Sequence, residues 1–200
     1  MNVRTARVLL MLGAFVGGLV LFAAVIFVVT GRAPGPIAGA SAVGGPFKLV
    51  DQHSKPITDQ DRKGRPFLGV CGFTHCPDVC PTTLFEVSEI FRALGPDAGA
   101  KDIRGLFVTV DPERDTPAVL KDYLSSFDPR VIGVTGDVAS IAAVEKSYRV
   151  YAKKVPLDGG GYTMDHTALV YLMDKTGRFV APFNIKRRPE EAAADLKKYL

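Results

Sequence analysis

The sequence predicts an α/β domain carried behind an N-terminal transmembrane anchor, and three observations carry the prediction. Apolar runs of strand length alternate with stretches whose apolar residues recur every three or four positions, the pattern of parallel strands joined by crossover helices. An uncharged apolar run occupies residues 8–29. Two cysteines, Cys76 and Cys80, stand among prolines where the first strongly apolar strand run gives way to a helical pattern.

Length and charge bound the rest. A chain of 200 residues that is 47% hydrophobic holds one domain of about 150 residues and a targeting segment. Three of the four net positive charges come from Arg4, Arg7 and Arg32, since residues 1–32 contain no acid; without them 25 − 3 = 22 basic residues face 21 acidic ones. A nucleic-acid-binding function therefore has no support in composition. At about 1.5 Å per residue, residues 8–29 match the roughly 30 Å hydrocarbon layer of a bilayer. Arg4 and Arg7 before the run suit a cytoplasmic N-terminus with everything after Arg32 exported, which predicts a single-pass protein of the bacterial inner (plasma) membrane whose domain faces the periplasm. A cleaved signal peptide, with Ala38-Gly39-Ala40 as its processing site, is the alternative, and the length of the run favours the uncleaved anchor. The expected organisation is a cytoplasmic tip and anchor over 1–32, a flexible Gly/Ala/Pro-rich linker over 33–45, and the folded domain over 46–200.

Within the domain, Phe47-Lys48-Leu49-Val50 and Ile57-Thr58 read as a hairpin around a polar turn at 51–55. His53 sits in that turn as a solvated side chain. Residues 67–73 form an unbroken apolar run, a strand buried on both faces. After Pro81, Leu84, Val87, Phe91 and Leu94 make one helix face, closed by Gly95-Pro96. A second strand over 103–110 leads through residues 111–117 into a helix with Leu120, Tyr123, Leu124 and Phe127 as its buried stripe. A third strand at 131–134 precedes a helix over 137–150 with Ile141, Val144 and Tyr148 inward. Residues 157–161 form a Gly-rich turn. Strands at 168–173 and 178–183 then pair through Asp174-Lys175-Thr176-Gly177, and Pro189-Glu190-Glu191 opens a last helix that ends in Lys197 and Lys198. Strand–helix alternation closed by a hairpin and a helix, with cysteines at the first strand-to-helix junction, is the thioredoxin-like plan. Right-handed crossovers place the loop 111–117 beside the cysteine loop.

Cys76 and Cys80 are four apart, so a first helical turn between them sets their Cα atoms about 6 Å apart. That separation permits a disulfide and equally permits both sulfurs to grip one soft metal ion; the plainer alternative is two small buried hydrophobes on a turn. Pro81 at the first helical position puts Cys80 near the positive end of the helix, where a thiolate is stabilised. Two thiolates alone hold Cu(I), whereas Cu(II) asks for a harder third donor such as imidazole. Of the three histidines, His53 is solvated and His75 adjoins Cys76 in a way that turns its side chain aside. His166 lies at the start of a strand of the closing hairpin, 86 residues after Cys80, and periodicity alone does not bring it to the cysteine loop.

Thr74-His75-Cys76-Pro77-Asp78-Val79-Cys80-Pro81-Thr82, Asp111-Pro112-Glu113-Arg114-Asp115-Thr116-Pro117 and Asp165-His166 together resemble the Sco/SenC family of membrane-anchored, thioredoxin-like copper proteins, over about residues 45–200. The resemblance implies that Cys76, Cys80 and His166 bind one copper ion, Cu(I) or Cu(II), that the same two cysteines form a disulfide, and that Asp78 and Asp165 act beside them. It implies a copper metallochaperone for the binuclear site of cytochrome c oxidase, with subunit two of that enzyme and a copper donor protein or thiol reductant as partners. A thiol-disulfide oxidoreductase that reduces the cysteines of that site, or a redox or copper sensor, is the alternative. Four-residue spacing differs from the C-x-x-C of dedicated oxidoreductases, and pure exchange leaves His166 without a task, so copper comes first. Val79-Cys80-Pro81-Thr82 also resembles a peroxidase turn, but Pro77 stands where those enzymes place a threonine. Cys71 occupies a position that is apolar or aromatic in the family; inside an apolar run it reads as a buried free thiol, the alternative being a reactive one that mispairs with Cys76 or Cys80.

Overall fold

The computed structural model describes residues 2–30, 43–95 and 102–200. Most of the expected linker, and Pro96, lie outside the described residues. The chain divides into two units, 1–39 and 40–200.

The first unit contains helix α1 (Val3–Thr30), whose Leu9, Leu12, Phe15, Leu19 and Phe22 are all exposed. Among the described residues no helix is long and apolar enough to cross a membrane; side chains there are described without a break only from Leu9 to Val25.

The second unit is built on a mixed sheet. Its strands are β1 (Lys48–Asp51), β2 (Pro56–Thr58), β3 (Phe67–Gly72), β4 (Arg104–Thr109), β5 (Val131–Thr135), β8 (Val170–Met173) and β9 (Phe179–Pro182), in the order β2-β1-β5-β4-β3-β8-β9. β3, β4 and β5 are parallel and central, and β8 adds antiparallel to β3. Their side chains alternate between two helical layers. On one face Gly105 lies against Phe91 of α2 (Val79–Leu94), and Gly133 against Leu120 and Leu124 of α3 (Pro117–Leu124). On the other, Gly69, Cys71, Leu106 and Val108 meet Val144 and Tyr148 of α4 (Val138–Tyr148). The terminal helix α5 (Pro189–Leu196) packs on α2.

Local chemistry sets the helix ends. Thr116 Oγ1 accepts from the Val119 amide at 3.3 Å, with Pro117 opening α3, and Asp137 accepts from the Ser140 amide at the start of α4, each satisfying a donor the helix leaves unpaired. Gly95 closes α2 at φ +75°, a conformation costly for a residue with a Cβ.

Two expectations are corrected. Pro81 is the third residue of α2, not the first: the helix begins at Val79 after Asp78, so Cys80 already lies inside the first turn. His166 does not open a strand of the closing hairpin. It ends β7 (Tyr162–His166), which pairs antiparallel with β6 (Ala152–Pro156) in a separate two-stranded ribbon. The ribbon was hidden because most of β6 is exposed and Ala152-Lys153-Lys154-Val155-Pro156 carries no apolar alternation to announce a strand.

Candidate metal centre

The site begins where β3 runs out. A Cβ on Gly72 would stand 2.7 Å from both Cys80 Sγ and the ring edge of Phe107, so only glycine lets the sulfur approach the sheet. Beyond it Phe73 is buried, and the chain turns back on itself as the Cys76 amide donates to the Phe73 carbonyl at 3.2 Å. The turn is pinned from β4 and the loop after it. Asp115, fully buried, accepts from the Thr74 amide at 3.1 Å, from Thr74 Oγ1 at 2.6 Å and from Thr109 Oγ1 at 2.6 Å. The predicted proximity of loop 111–117 to the cysteine loop is therefore carried by two half-buried hydrogen bonds from Thr74 to the buried Asp115 carboxylate.

Cys76 and Cys80 are both buried and both free thiols, and the Cys80 amide donates to Cys76 Sγ at 3.4 Å. His166 Nε2 lies 3.6 Å from Cys80 Sγ, and the donor atoms of Cys76, Cys80 and His166 all fall within 4.8 Å of one another. The imidazole is oriented from behind. A proton on Nδ1 meets the Thr167 carbonyl at 3.0 Å, which leaves the Nε2 lone pair facing the sulfurs, and Phe73 stands edge-on to the ring at 5.7 Å between centroids.

Burial pushes the Cys80 thiol well above its ordinary range, outweighing the Phe73 backbone contact that acts the other way. The stabilised thiolate expected from the helix terminus is thus overruled by desolvation in the metal-free protein. A soft cation entering here displaces a proton rather than meeting a ready anion.

The remaining candidates lie elsewhere. His75 is exposed and contacts Thr74 Oγ1 at 3.1 Å; His53 is exposed in the β1–β2 turn. Asp78 precedes α2, exposed, with Thr82 Oγ1 donating to it at 3.5 Å. Asp165 is exposed in β7 opposite Lys153. Cys71 points to the α4 face of the sheet, among Phe67, Leu106, Val144 and Tyr171, and burial raises its pKa to about 12. Its neighbours on that face are apolar, as a buried free thiol requires, while Cys80 Sγ meets the opposite face of β3 at Gly72.

Sequence reasoning missed the residues that hold the site in shape: Gly72, Asp115, and a second set in which Arg114 pairs with buried Asp111 and donates to the Tyr162 carbonyl at 3.0 Å. The acidic loop between β4 and α3 was the available signal, but nothing in one sequence tells which of its acids turn inward.

The SCO1/SenC family model matches residues 36–200. The chain belongs to the SCO1/SenC family. Among relatives, it is 38% identical over 146 residues to Protein SCO1 homolog 1, mitochondrial, of Arabidopsis thaliana, covering 73% of this chain and 43% of that protein. It is 37% identical over 162 residues to Protein SCO2 homolog, mitochondrial, of Bos taurus, covering 80% of this chain and 61% of that one. The match thus spans less than two thirds of the length of either relative. Two similar solved structures have copper bound. Bradyrhizobium japonicum ScoI is 64% identical with a TM-score of 0.76, over 79% of this chain and 99% of that chain. Yeast Sco1 is 35% identical with a TM-score of 0.69, over 79% and 90%. The donor set of this SCO1/SenC protein fits the same metal: two soft thiols select Cu(I), and the imidazole accommodates Cu(II).

Proposed function

We propose that this chain is a membrane-anchored copper metallochaperone that takes up one copper ion through Cys76, Cys80 and His166 and passes it to the binuclear copper site of cytochrome c oxidase subunit two, having received it from a copper donor protein. The observation that carries the reading is the convergence of two buried sulfurs and one oriented imidazole nitrogen within 4.8 Å. Residues 8–29 serve as the single-pass anchor in the inner membrane, with the domain in the periplasm; the uncharged run and the exposed apolar side chains of α1 support that placement. Asp78 stands exposed between the two cysteines, where it meets an incoming partner before the metal does.

The chain's own contribution is proton and water management. Cys80 keeps its proton until metal arrives, Nδ1 of His166 holds its proton against Thr167, and Gly72 and Phe73 close the inner wall against solvent. A role as reductant of the target's cysteines uses the same two sulfurs, and both roles run through the thiolate; the imidazole oriented beside the sulfurs, which thiol exchange does not need, favours copper. Copper titration of the full-length protein in detergent tests the proposal. One ion per chain is expected, with intense sulfur-to-Cu(II) charge-transfer bands that disappear in Cys76→Ser and Cys80→Ser. Bands that survive either substitution remove that cysteine from the site.

A further inference from the structure

We infer that Arg114 is the positioning residue for His166 and thereby sets how strongly the site favours Cu(II) over Cu(I). The inference rests on the reading of His166 as the third metal donor.

The histidine sits on an element that stands outside the main sheet. The β6–β7 ribbon shares no hydrogen-bonded ladder with the main sheet. Beneath it, Ala152 and Met164 face Val138, Ile141 and Ala142 across a cleft of about 180 Å³, so apolar packing leaves the ribbon room to shift. What fixes it is a polar clamp at the start of β7. Arg114 Nη1 donates to the Tyr162 carbonyl at 3.0 Å, and the guanidinium carbon lies 3.9 Å from the centre of the Tyr162 ring. Arg114 Nε is paired with Asp111, which in turn accepts from the Tyr162 hydroxyl at 2.8 Å. Lys154, paired with Glu113, lies over the same ring at 4.7 Å.

Tyr162 and His166 are four apart in one strand and so project to the same face. Holding Tyr162 therefore holds the register and tilt with which His166 is presented. Arg114 reaches the histidine by a second route as well: it lies 5.8 Å from the ring of Phe73, the ring that stands edge-on to His166. The cysteine loop hangs from a different group, Asp115 with its bonds to Thr74 and Thr109. The hydrogen bonds that anchor the two donor sets thus come from separate neighbours on one short loop, Asp115 for the cysteine turn and Arg114 for the ribbon. Thiolates suffice for Cu(I), whereas Cu(II) needs the imidazole, so loosening the Arg114 clamp weakens Cu(II) binding and spares Cu(I).

Competition titrations of Cu(I) and Cu(II) against chelators of known affinity, on the full-length protein in detergent, test this with Arg114→Ala, Tyr162→Phe and His166→Ala. Removing an outer partner of a metal-binding histidine typically costs about 10- to 100-fold in affinity; Arg114→Ala is expected to lower Cu(II) affinity about tenfold, with Cu(I) affinity changed less than about twofold. Tyr162→Phe, which deletes only the hydroxyl bonded to Asp111, should shift the same ratio in the same direction by a smaller factor, and it decides the matter if Arg114→Ala fails to fold. Parallel loss of both oxidation states, or unchanged Cu(II) affinity in the folded clamp variants while His166→Ala weakens it, overturns the inference. Unchanged Cu(II) affinity in His166→Ala overturns instead the underlying assignment of the histidine.

Discussion

Position 72 shows how much of the site depends on an absent methyl group. Because a Cβ there would sit 2.7 Å from both Cys80 Sγ and Phe107, Gly72→Ala forces the sulfur or the ring to move. Overpacking of this kind costs about 1–3 kcal/mol, which urea denaturation of the apo protein measures; the same variant should bind Cu(I) more weakly, because the displaced atom is a proposed ligand. Cys71, one residue earlier, faces the opposite layer and makes a different prediction. Burial raises its pKa from 9.0 to about 12, so above pH 9 the unfolded chain loses a proton that the folded chain keeps. Its contribution to stability is complete below pH 9.0 and declines as pH rises toward about 12, at about 1.4 kcal/mol per pH unit for one group. Tyr148, raised from 10.0 to about 12 by burial, adds to the decline from pH 10 upward. Cys71→Ala should make the fall in stability above pH 9 shallower by the share of one group, leaving in place the shares of Cys80, which burial also raises, and of Tyr148. An equally steep profile in the variant would show that the thiol is ionised in the fold.

Among the elements, the loop between β4 and α3 has the largest effect for its length. Asp115→Ala would leave the Thr74 amide, the Thr74 hydroxyl and the Thr109 hydroxyl without their common acceptor. At about 1–3 kcal/mol for each unsatisfied buried donor, partly relieved by water, a loss of about 3 kcal/mol or more is expected, together with faster amide exchange at Thr74 and Cys76. Unaltered stability would mean that water replaces the carboxylate without cost. This element also marks the limit of what sequence periodicity discloses. The core strands and helices were readable because burial on both faces makes Phe67 to Gly72 an unbroken apolar run and burial on one face imposes period 3.6 on Leu84, Val87, Phe91 and Leu94. The β6–β7 ribbon was not, since its outward side chains answer to solvent and to Arg114 and Glu113 rather than to a core. Cys76 and Cys80 were conspicuous by spacing, but the arrival of His166 beside them depends on that ribbon, and only likeness to the Sco/SenC family pointed to it. The charge state of Cys80 was misjudged because a helix terminus is visible in sequence and the depth of burial is not.

At the scale of the whole domain, the proposed copper site draws its donors from two segments that the backbone keeps apart, the loop between β3 and α2 and the ribbon β6–β7. A ligand that binds only the folded arrangement stabilises it by about 4 kcal/mol at a thousandfold excess over Kd, so copper should raise the melting temperature and slow amide exchange in both segments at once. Exchange slowed around Cys76 and Cys80 alone, with Cu(I), would assign that oxidation state to the sulfurs without the imidazole. Copper and a Cys76–Cys80 disulfide compete for the same atoms, and the fully oxidised protein should take up no tightly bound ion; stoichiometric loading of that form would break the assignment of the thiolates. The isolation of the ribbon has one more consequence. A two-stranded appendage without a ladder to the main sheet can be lengthened, shortened or exchanged at its 157–161 turn while the strand order behind it stays intact. The scaffold is thus modular: a designer could graft a carboxylate or thioether in place of the imidazole and retune the reduction potential of a metal held there, leaving the main sheet as it was.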